Sequence, residues 1–204
     1  MNALIIFIKN PEKGKVKTRL AATAGDDKAL QIYLELLRHT KEIALQTEAS
    51  RYLFYSQRIN HKDDWPIEHF HKTLQKGEDL GEKMANSLEK VLQSNQKAVI
   101  IGSDCASLTS DIVNEAFDLL DKYDFVMGPA LDGGYYLLGM CTFSPEVFEN
   151  IEWSSPEVGS HTLLSIDQLG KTYSLLPLLS DIDYEEDWDK YGWELGEDHA
   201  KTSF

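Results

Sequence analysis

The chain has 204 residues, of which 42% are hydrophobic and 26% charged, and a formal net charge of −14 at pH 7. This length can bury a sizeable core without a second domain, so we predict a single domain over residues 1–204. The acidic balance argues against nucleic acid as a partner, because a phosphate backbone repels an acidic surface. The two cysteines are too few for a disulfide framework, and no membrane span or secretory leader is recognisable, which predicts a cytoplasmic protein.

Apolar runs and helical periodicities alternate along the chain, which is typical of a largely parallel sheet covered by helices. Strands are predicted at Leu4–Ile8, Arg51–Ser56, near Thr73, and at Ala98–Ile101, Phe125–Met127, Tyr135–Leu138 and Thr172–Leu176. Helices are predicted from the Asp26–Asp27 pair to about Gln46, at Leu80–Leu92, from the Thr109–Ser110 pair to Asp121, and at His161–Leu169. From Asp181 onward the chain carries nine acids and two lysines, which predicts a surface helix.

A basic loop follows the first strand. Residues 1–20 carry a local charge of +4, and the rest of the chain carries −18. The cations of this loop are Lys9, Lys13, Lys15, Lys17 and Arg19. Gly14 permits backbone N–H groups to point inward, and Lys17 and Arg19 can offset the charge of a diphosphate. The loop is neither a Walker A motif nor a GxGxxG fingerprint, which disfavours P-loop ATP hydrolysis and nicotinamide binding. A solvated charged loop is the alternative.

Aspartates follow two of the predicted strands. Asp104 stands just beyond Ala98–Ile101, at the edge where open α/β sheets bind their ligands. A carboxylate there suits Mg²⁺ or Mn²⁺, which prefer oxygen ligands and can take their remaining ligands from phosphate and water. A single Asp is equally well explained as a helix cap or turn former. In the pair Asp181 and Asp183, Asp183 can complete the metal site, although acids before a helix are also ordinary dipole partners.

The segment Asp132–Tyr136 contains two glycines, which let an acceptor approach the backbone closely. Asp132 is a candidate general base there, and a simple hairpin turn explains the glycines equally well. Of the six histidines, only His161 follows a loop expected to face the site, and a structural role is the more ordinary one for it.

Five motifs, taken in order, carry a resemblance to a known family. They are Lys9-x-Pro11-x-x-Gly14-x-Val16-Lys17-Thr18-Arg19-Leu20, Gln75-x-Gly77-x-Asp79-Leu80-Gly81-Glu82-Lys83-Met84, Gly102-Ser103-Asp104-Cys105, Gly128-Pro129-Ala130-x-Asp132-Gly133-Gly134-Tyr135-Tyr136 and Asp181-Ile182-Asp183. Together they resemble the bacterial glycosyltransferase family of GT-A fold associated with arsenosugar biosynthesis. That family is related to nucleotidyltransferases of the molybdopterin guanylyltransferase type.

The resemblance implies a three-layer α/β/α nucleotide-diphospho-sugar transferase fold, Rossmann-like, with a mostly parallel mixed sheet. It implies Mg²⁺ or Mn²⁺ on Asp104, with Asp183 as a second ligand. The nucleotide-binding residues that we predict are Lys9, Gly14, Lys17, Thr18, Arg19 and Gly81, and the catalytic residues are Lys17, Arg19 and Asp132. One departure from the usual Gly-x-Asp-x-Pro pattern is Ala106 in place of proline, which removes a rigid turn but no ligand.

Three functions remain open at this point. The leading one is metal-dependent glycosyl transfer from a nucleoside-diphosphate sugar to a small-molecule acceptor. The alternative is nucleotidyl transfer from GTP or CTP to a phosphorylated acceptor with release of pyrophosphate. A non-catalytic nucleotide-binding module is the third, and the fold cannot separate them because one fold hosts several chemistries.

Overall fold

A computed structural model describes residues 1–196 of the chain, and its centre is one seven-stranded mixed sheet. The strands are β1 Asn2–Ile8, β2 Ser50–Tyr55, β3 His71–Leu74, β4 Lys97–Ile101, β5 Phe125–Pro129, β6 Tyr135–Met140 and β7 Tyr173–Leu175. Their order across the sheet is β3-β2-β1-β4-β6-β5-β7. Strand β6 is antiparallel to β4 and β5, and the other pairs are parallel. The predicted mostly parallel mixed sheet is confirmed.

Helices cover both faces of the sheet. They are α1 Thr18–Ala24, α2 Asp26–Gln46, α3 Leu80–Leu92, α4 Ser110–Leu119, α5 Val158–Gln168 and α6 Glu185–Tyr191, with a 3-10 helix at Pro145–Phe148. Helices α2 and α4 pack on one face, and α3 and α5 pack on the other, which confirms the three-layer arrangement. None of the helices in residues 1–196 is long and apolar enough to cross a membrane.

Strand β1 shows why the sequence forms a buried central strand. Leu4 and Ile6 pack into the core on the α2 and α4 face, whereas Ala3 and Ile5 pack into the core on the opposite face. Side chains alternate between the two faces of a strand, so a strand covered on both faces must be apolar throughout. The four residues are fully buried.

Helix α1 was not predicted from the sequence. The residue before it, Lys17, has left-handed backbone angles of φ 48° and ψ 45° and makes no side-chain capping hydrogen bond. The start of α1 therefore lacks the Ser, Thr, Asp or Asn cap that signals a helix in a sequence. Leu20 is fully buried and packs with Ile182 and Trp188. Contacts distant in sequence, rather than local capping, stabilise this helix.

The acidic C-terminal region differs from the surface helix that we predicted. Its helix is only the seven residues of α6, and Trp188 is buried. The indole Nε1 of Trp193 donates a hydrogen bond of 3.1 Å to Glu35 on α2. We define residues 181–196 as the C-terminal segment, which packs against α1 and α2. The part of the predicted helix over residues 197–204 lies outside the described residues.

A buried ion pair fixes the long connection between β2 and β3. Lys72 Nζ lies 2.5 Å from Asp63 Oδ1, and the two side chains are 4% and 6% exposed. The Tyr55 hydroxyl donates a hydrogen bond of 2.6 Å to the other oxygen of Asp63. Removing one partner of such a pair leaves an uncompensated buried charge.

We therefore expect Lys72→Met to lower the free energy of unfolding by roughly 3 kcal/mol. The control is Lys171→Met, which breaks a pair whose side chains are 39% and 37% exposed and should cost less than about 1 kcal/mol. Urea denaturation measures both losses. Equal losses for the two variants would show that burial of the Lys72–Asp63 pair has no energetic consequence.

Candidate functional site

A cleft of about 480 Å³ lies at the edge of the sheet where the parallel strands end. Lys9 follows β1, and Asp104 follows β4. Tyr135 begins β6 at the same edge because β6 runs antiparallel to β4. The cleft therefore lies where open α/β sheets bind ligands.

One side of the cleft is charged. We call this side the charged wall, and its residues are Lys9, Lys17, Arg19, Asp104, Asp181 and Asp183. Lys17 Nζ lies 2.7 Å from Asp104 Oδ1 and donates a hydrogen bond of 2.6 Å to the carbonyl of Ile182. Arg19 forms a second pair with Asp183 at 2.8 Å. The structure thus brings the predicted phosphate-binding cations together with the predicted metal-binding carboxylates.

The two members of the first pair differ in exposure. The Lys17 side chain is 4% exposed, whereas the Asp104 side chain is 41% exposed. The ammonium is therefore buried beside a carboxylate that solvent can reach. The left-handed backbone of Lys17 costs on the order of 1 kcal/mol for a residue with a Cβ. The burial of Leu20 in the next turn offsets that cost.

Lys9 is held by a tyrosine of α2 that the sequence did not single out as a site residue. The Tyr33 hydroxyl accepts a hydrogen bond of 2.8 Å from the Lys9 N–H and donates one of 3.0 Å to the Lys9 carbonyl. Burial raises the pKa of Tyr33, so its hydroxyl stays protonated and serves both roles. The helical spacing of Tyr33 gave no signal of this contact.

The other two cations of the basic loop lie away from the cleft. Lys13 pairs with Asp27 at 2.6 Å, and Lys15 pairs with Glu12 at 2.6 Å. Gly14 lies between them in a turn with φ 74°. Neither lysine, nor Gly14, lines the cleft, whereas Thr18 does. A role of Gly14 in nucleotide binding stays a prediction.

Asp181 lines the cleft, although the sequence analysis preferred Asp183 as the second metal ligand. Burial and the charges of Asp104, Asp132 and Asp183 together raise the pKa of Asp181 to about 7, although Lys17 acts in the opposite direction. The intervening Ile182 is fully buried and donates a backbone hydrogen bond of 2.8 Å to the Asp104 carbonyl. A buried residue between two acids was the signal available in the sequence, because residues i and i+2 of an extended segment share a face.

The carboxylates of the charged wall suit a divalent cation in the presence of phosphate. Mg²⁺ and Mn²⁺ need only one or two carboxylates when phosphate and water supply the other oxygens. Over residues 1–196, no group of three or more His, Cys, Asp or Glu side chains is arranged to hold a metal ion by itself. Lys17 and Arg19 contact oxygens of Asp104 and Asp183 that a metal ion would use. The metal-binding roles of these two aspartates stay predictions.

The other side of the cleft is largely apolar. We call this side the apolar wall, and its residues are Leu80, Met84, Tyr135, Trp153, Pro156 and Val158. They come from α3, β6 and the segment that leads into α5. The charged wall is built instead from the basic loop, the loop after β4 and the C-terminal segment. The two walls therefore come from different parts of the fold.

Two glycines of the predicted motifs make room for the apolar wall. A Cβ on Gly81 would lie 2.3 Å from the ring of Trp153. Gly133 has φ 90°, and a Cβ there would lie 2.0 Å from the carbonyl oxygen of Pro156. Gly81 does not line the cleft, so its structural role is to let the indole ring lie against α3. Direct nucleotide binding by Gly81 stays a prediction.

Asp132 lines the cleft from the turn between β5 and β6. One of its carboxylate oxygens accepts a hydrogen bond of 2.9 Å from the Gly134 N–H, which fixes the orientation of the exposed side chain. The general-base role of Asp132 stays a prediction. The loop before His161 lines the cleft as expected, whereas His161 itself lies on α5 and lines a separate depression with Glu146 and Leu164.

The position where related folds have proline is occupied by Ala106, which is buried with Leu20 and Trp188. The loop after β4 is held by the hydrogen bond from Ile182 to Asp104. Contacts with the C-terminal segment thus fix this loop without the proline.

Residues 37–155 match a bacterial protein family described as "Uncharacterized protein conserved in bacteria (DUF2064)". No curated protein matches the chain.

Solved structures resemble the chain over most of its length. A Desulfovibrio desulfuricans G20 protein, provisionally described as a nucleotide-diphospho-sugar transferase, is 30% identical, with a TM-score of 0.84 over 90% of this chain and 82% of that one. A CMP:2-keto-3-deoxy-manno-octonic acid synthetase in complex with CTP is 9% identical, with a TM-score of 0.58 over 93% and 95%. A Mycobacterium tuberculosis H37Rv protein in complex with manganese is 13% identical, with a TM-score of 0.53 over 93% and 96%. The predicted nucleotide-diphospho-sugar transferase fold is confirmed.

The raised pKa of Asp181 makes a prediction for the metal-free protein. The native state keeps a proton that the unfolded chain releases above the ordinary value of 3.8, so this group's contribution to stability falls as the pH rises towards about 7. Replacing Asp181 by Asn removes that contribution. As the pH rises from the ordinary value of 3.8 to about 7, the free energy of unfolding of Asp181→Asn should increase by roughly 3 kcal/mol relative to that of the wild type.

Urea denaturation at a series of pH values, in the presence of EDTA, measures this difference. The control is Asp167→Asn, because Asp167 is exposed on α5 and lies outside the cleft. Parallel pH profiles for wild type and Asp181→Asn would contradict a proton held on Asp181.

Proposed function

We propose that the chain, which belongs to the bacterial family of uncharacterized proteins DUF2064, is a metal-dependent glycosyltransferase. Its donor would be a nucleoside-diphosphate sugar, and its acceptor a small molecule. The observation that carries the proposal is the pairing of Lys17 with Asp104 and of Arg19 with Asp183 in the charged wall. A diphosphate with its divalent metal ion supplies partners for both kinds of side chain. Its anionic oxygens can pair with Lys17 and Arg19, and its metal ion can bind the carboxylates of Asp104 and Asp183. The 30% identical relative with a nucleotide-diphospho-sugar transferase description supports the same reading.

The reaction would break the bond between the anomeric carbon and the diphosphate oxygen, and negative charge would build on the departing nucleoside diphosphate. Lys17 and Arg19 would offset that charge, which is electrostatic stabilisation directed at the transition state. The burial of Lys17 strengthens its effect, because charges interact more strongly away from water. Mg²⁺ or Mn²⁺ bound at Asp104 and Asp183 would supply Lewis-acid stabilisation of the same phosphates.

Asp132 would accept the proton of the acceptor hydroxyl while the acceptor oxygen bonds to the anomeric carbon. The hydrogen bond from Gly134 holds one carboxylate oxygen and orients the other. An oriented carboxylate at the boundary of the two walls is the kind of group that general base catalysis requires.

Nucleotidyl transfer is the second candidate. The charged wall can also hold a triphosphate, and the chain shares its fold with a synthetase that binds CTP. In that reaction a phosphate of the acceptor attacks the α-phosphorus, so the acceptor brings its own negative charge. The cations that line the cleft all belong to the charged wall, and the apolar wall offers none to a second phosphate. This distribution favours glycosyl transfer.

The proposal also includes a cytoplasmic location. It includes an association with arsenosugar biosynthesis, which is taken from the five sequence motifs.

The donor can be tested by thermal unfolding with nucleoside diphosphates, triphosphates and diphospho-sugars, each with and without Mn²⁺. We expect a metal-dependent rise in Tm with a diphospho-sugar, because a ligand that binds only the native state stabilises it. Lys17→Met should weaken this binding about tenfold or more, since it removes a charged hydrogen-bond donor.

Lys13→Met is the matched control, because Lys13 belongs to the same loop but pairs with Asp27 outside the cleft. It should bind the donor like the wild type. Preference for a triphosphate, with release of pyrophosphate on turnover, would support nucleotidyl transfer instead. Binding without metal dependence or turnover would support the non-catalytic module, and no shift with any nucleotide would contradict the proposal.

The role of Asp132 is tested by Asp132→Asn. We expect kcat for release of nucleoside diphosphate to fall about 100-fold or more, with donor affinity unchanged, because the base acts on the acceptor. Steady-state kinetics with a saturating donor measures the change. An unchanged kcat would remove Asp132 from the mechanism.

A further inference from the structure

We propose that Trp153 determines acceptor specificity, by presenting an apolar platform and an indole N–H to a neutral, hydroxyl-bearing acceptor. The inference rests on the proposed glycosyl transfer and specifies the acceptor class that this function leaves open. It follows from the packing of Trp153, from unpaired polar groups in its segment, and from the distribution of charge in the cleft.

The packing of Trp153 fixes the position of its ring. The ring lies against the first turn of α3, where a Cβ on Gly81 would come within 2.4 Å of three ring atoms. The following residues pack on the β5–β6 turn, since Gly133 leaves room for Pro156 and accepts a hydrogen bond of 2.9 Å from Gly159. The half-buried ring is therefore a pre-positioned surface of the cleft. Such rigid aromatic surfaces lose little conformational entropy on binding a ligand.

Polar groups in the same segment lack partners. Among residues 1–196, none accepts a hydrogen bond from Trp153 Nε1, and none pairs with the buried hydroxyl of Ser155. Ser154, between them, has φ 73°, which is unfavourable for a residue with a Cβ. An unsatisfied buried hydroxyl is destabilising, and positive φ adds to that cost. Trp153 lines the cleft, and its unpaired indole N–H can donate a hydrogen bond to a ligand oxygen there.

The charges identify the kind of ligand. The apolar wall contains no charged side chain, and the nearest acid on the β5–β6 turn is Asp132. A phosphorylated or carboxylated acceptor would face this carboxylate without a cation of its own. A neutral polyol or glycoside places its C–H face against Trp153, Met84 and Tyr135, and one of its oxygens accepts from the indole. An acceptor hydroxyl then loses its proton to Asp132. The oxygen of that hydroxyl bonds to the anomeric carbon of the donor and replaces the diphosphate oxygen there.

The test uses methyl β-glucoside as the neutral probe and glucose 6-phosphate as its anionic counterpart, with the full chain and the donor identified by thermal unfolding. Binding is read by quenching of tryptophan fluorescence, independently of turnover. Turnover is read as nucleoside diphosphate release above the rate without acceptor, which reports donor hydrolysis. We expect methyl β-glucoside to quench the tryptophan fluorescence and to stimulate release of nucleoside diphosphate. We expect glucose 6-phosphate to do neither.

Variants assign the effect to Trp153. Trp153→Ala should lower kcat/KM for the neutral probe about tenfold, and by more than it lowers donor hydrolysis. Trp153→Phe keeps an aromatic ring against Gly81 but lacks the indole N–H, so the variant should fold normally. It should lose the fluorescence quenching, and its kcat/KM for the acceptor should lie between the values of Trp153→Ala and the wild type. Trp193→Phe is the fluorescence control, because Trp193 packs on α2 through its bond to Glu35, outside the cleft; its quenching should persist.

Preference for glucose 6-phosphate, absence of both quenching and stimulation with the neutral probe, or wild-type acceptor kinetics in Trp153→Ala would overturn the inference. With any of these results, continued release of nucleoside diphosphate from the sugar donor would leave the glycosyltransferase proposal intact. Failure of that proposal appears separately, as pyrophosphate release or as no nucleotide turnover.

Discussion

The buried ammonium of Lys17 is the interaction on which the arrangement of the site depends. It joins the basic loop to Asp104 after β4 and to the carbonyl of Ile182 in the C-terminal segment. A buried cation without partners would cost several kcal/mol, so the three segments must be in place together. The backbone hydrogen bond from Ile182 to Asp104 adds a second link between two of them. The charged wall is therefore one cooperative unit assembled from distant parts of the sequence.

This unit neutralises itself when no ligand is bound. Lys17 and Arg19 compensate Asp104 and Asp183, which lets cations and carboxylates share a small cleft without strong repulsion. In the proposed function, a metal ion alone would have to compete with the two cations, and a diphosphate alone would have to compete with the carboxylates. If both bound as proposed, the metal ion would free Lys17 and Arg19 for the diphosphate, and the diphosphate would free Asp104 and Asp183 for the metal ion. Metal and nucleotide binding should consequently be coupled with positive sign, as linkage requires of two ligands that favour the same rearrangement.

The central strands and the longer helices could be predicted from the sequence because their apolar patterns are continuous. Strands β1 and β4 and helices α2 and α3 fall close to the predicted bounds. Helix α1 and the course of the C-terminal segment could not, because Leu20 and Trp188 are buried by each other rather than by a local pattern. Periodicity reports which residues are buried but not which distant segment covers them.

The same limit applied to the site. Lys9, Lys17, Arg19 and Asp104 were found because each follows or lies near the end of an apolar strand. Tyr33 and Trp153 were missed as site residues, because their contacts with the cleft depend on how helices and loops meet in space. Asp181 was placed second to Asp183, since only the structure shows how deeply each carboxylate lies.

The contribution of the C-terminal segment to the charged wall affects the order in which the site can form during protein synthesis. A growing chain that has reached β4 already contains the basic loop and Asp104, yet it lacks Ile182 and Trp188. Until those residues leave the ribosome, the Lys17 ammonium has one partner fewer and Leu20 has no cover. The residues of the basic loop and Asp104 are thus synthesised early but acquire their final geometry late, so an incomplete chain would not yet offer the proposed nucleotide site.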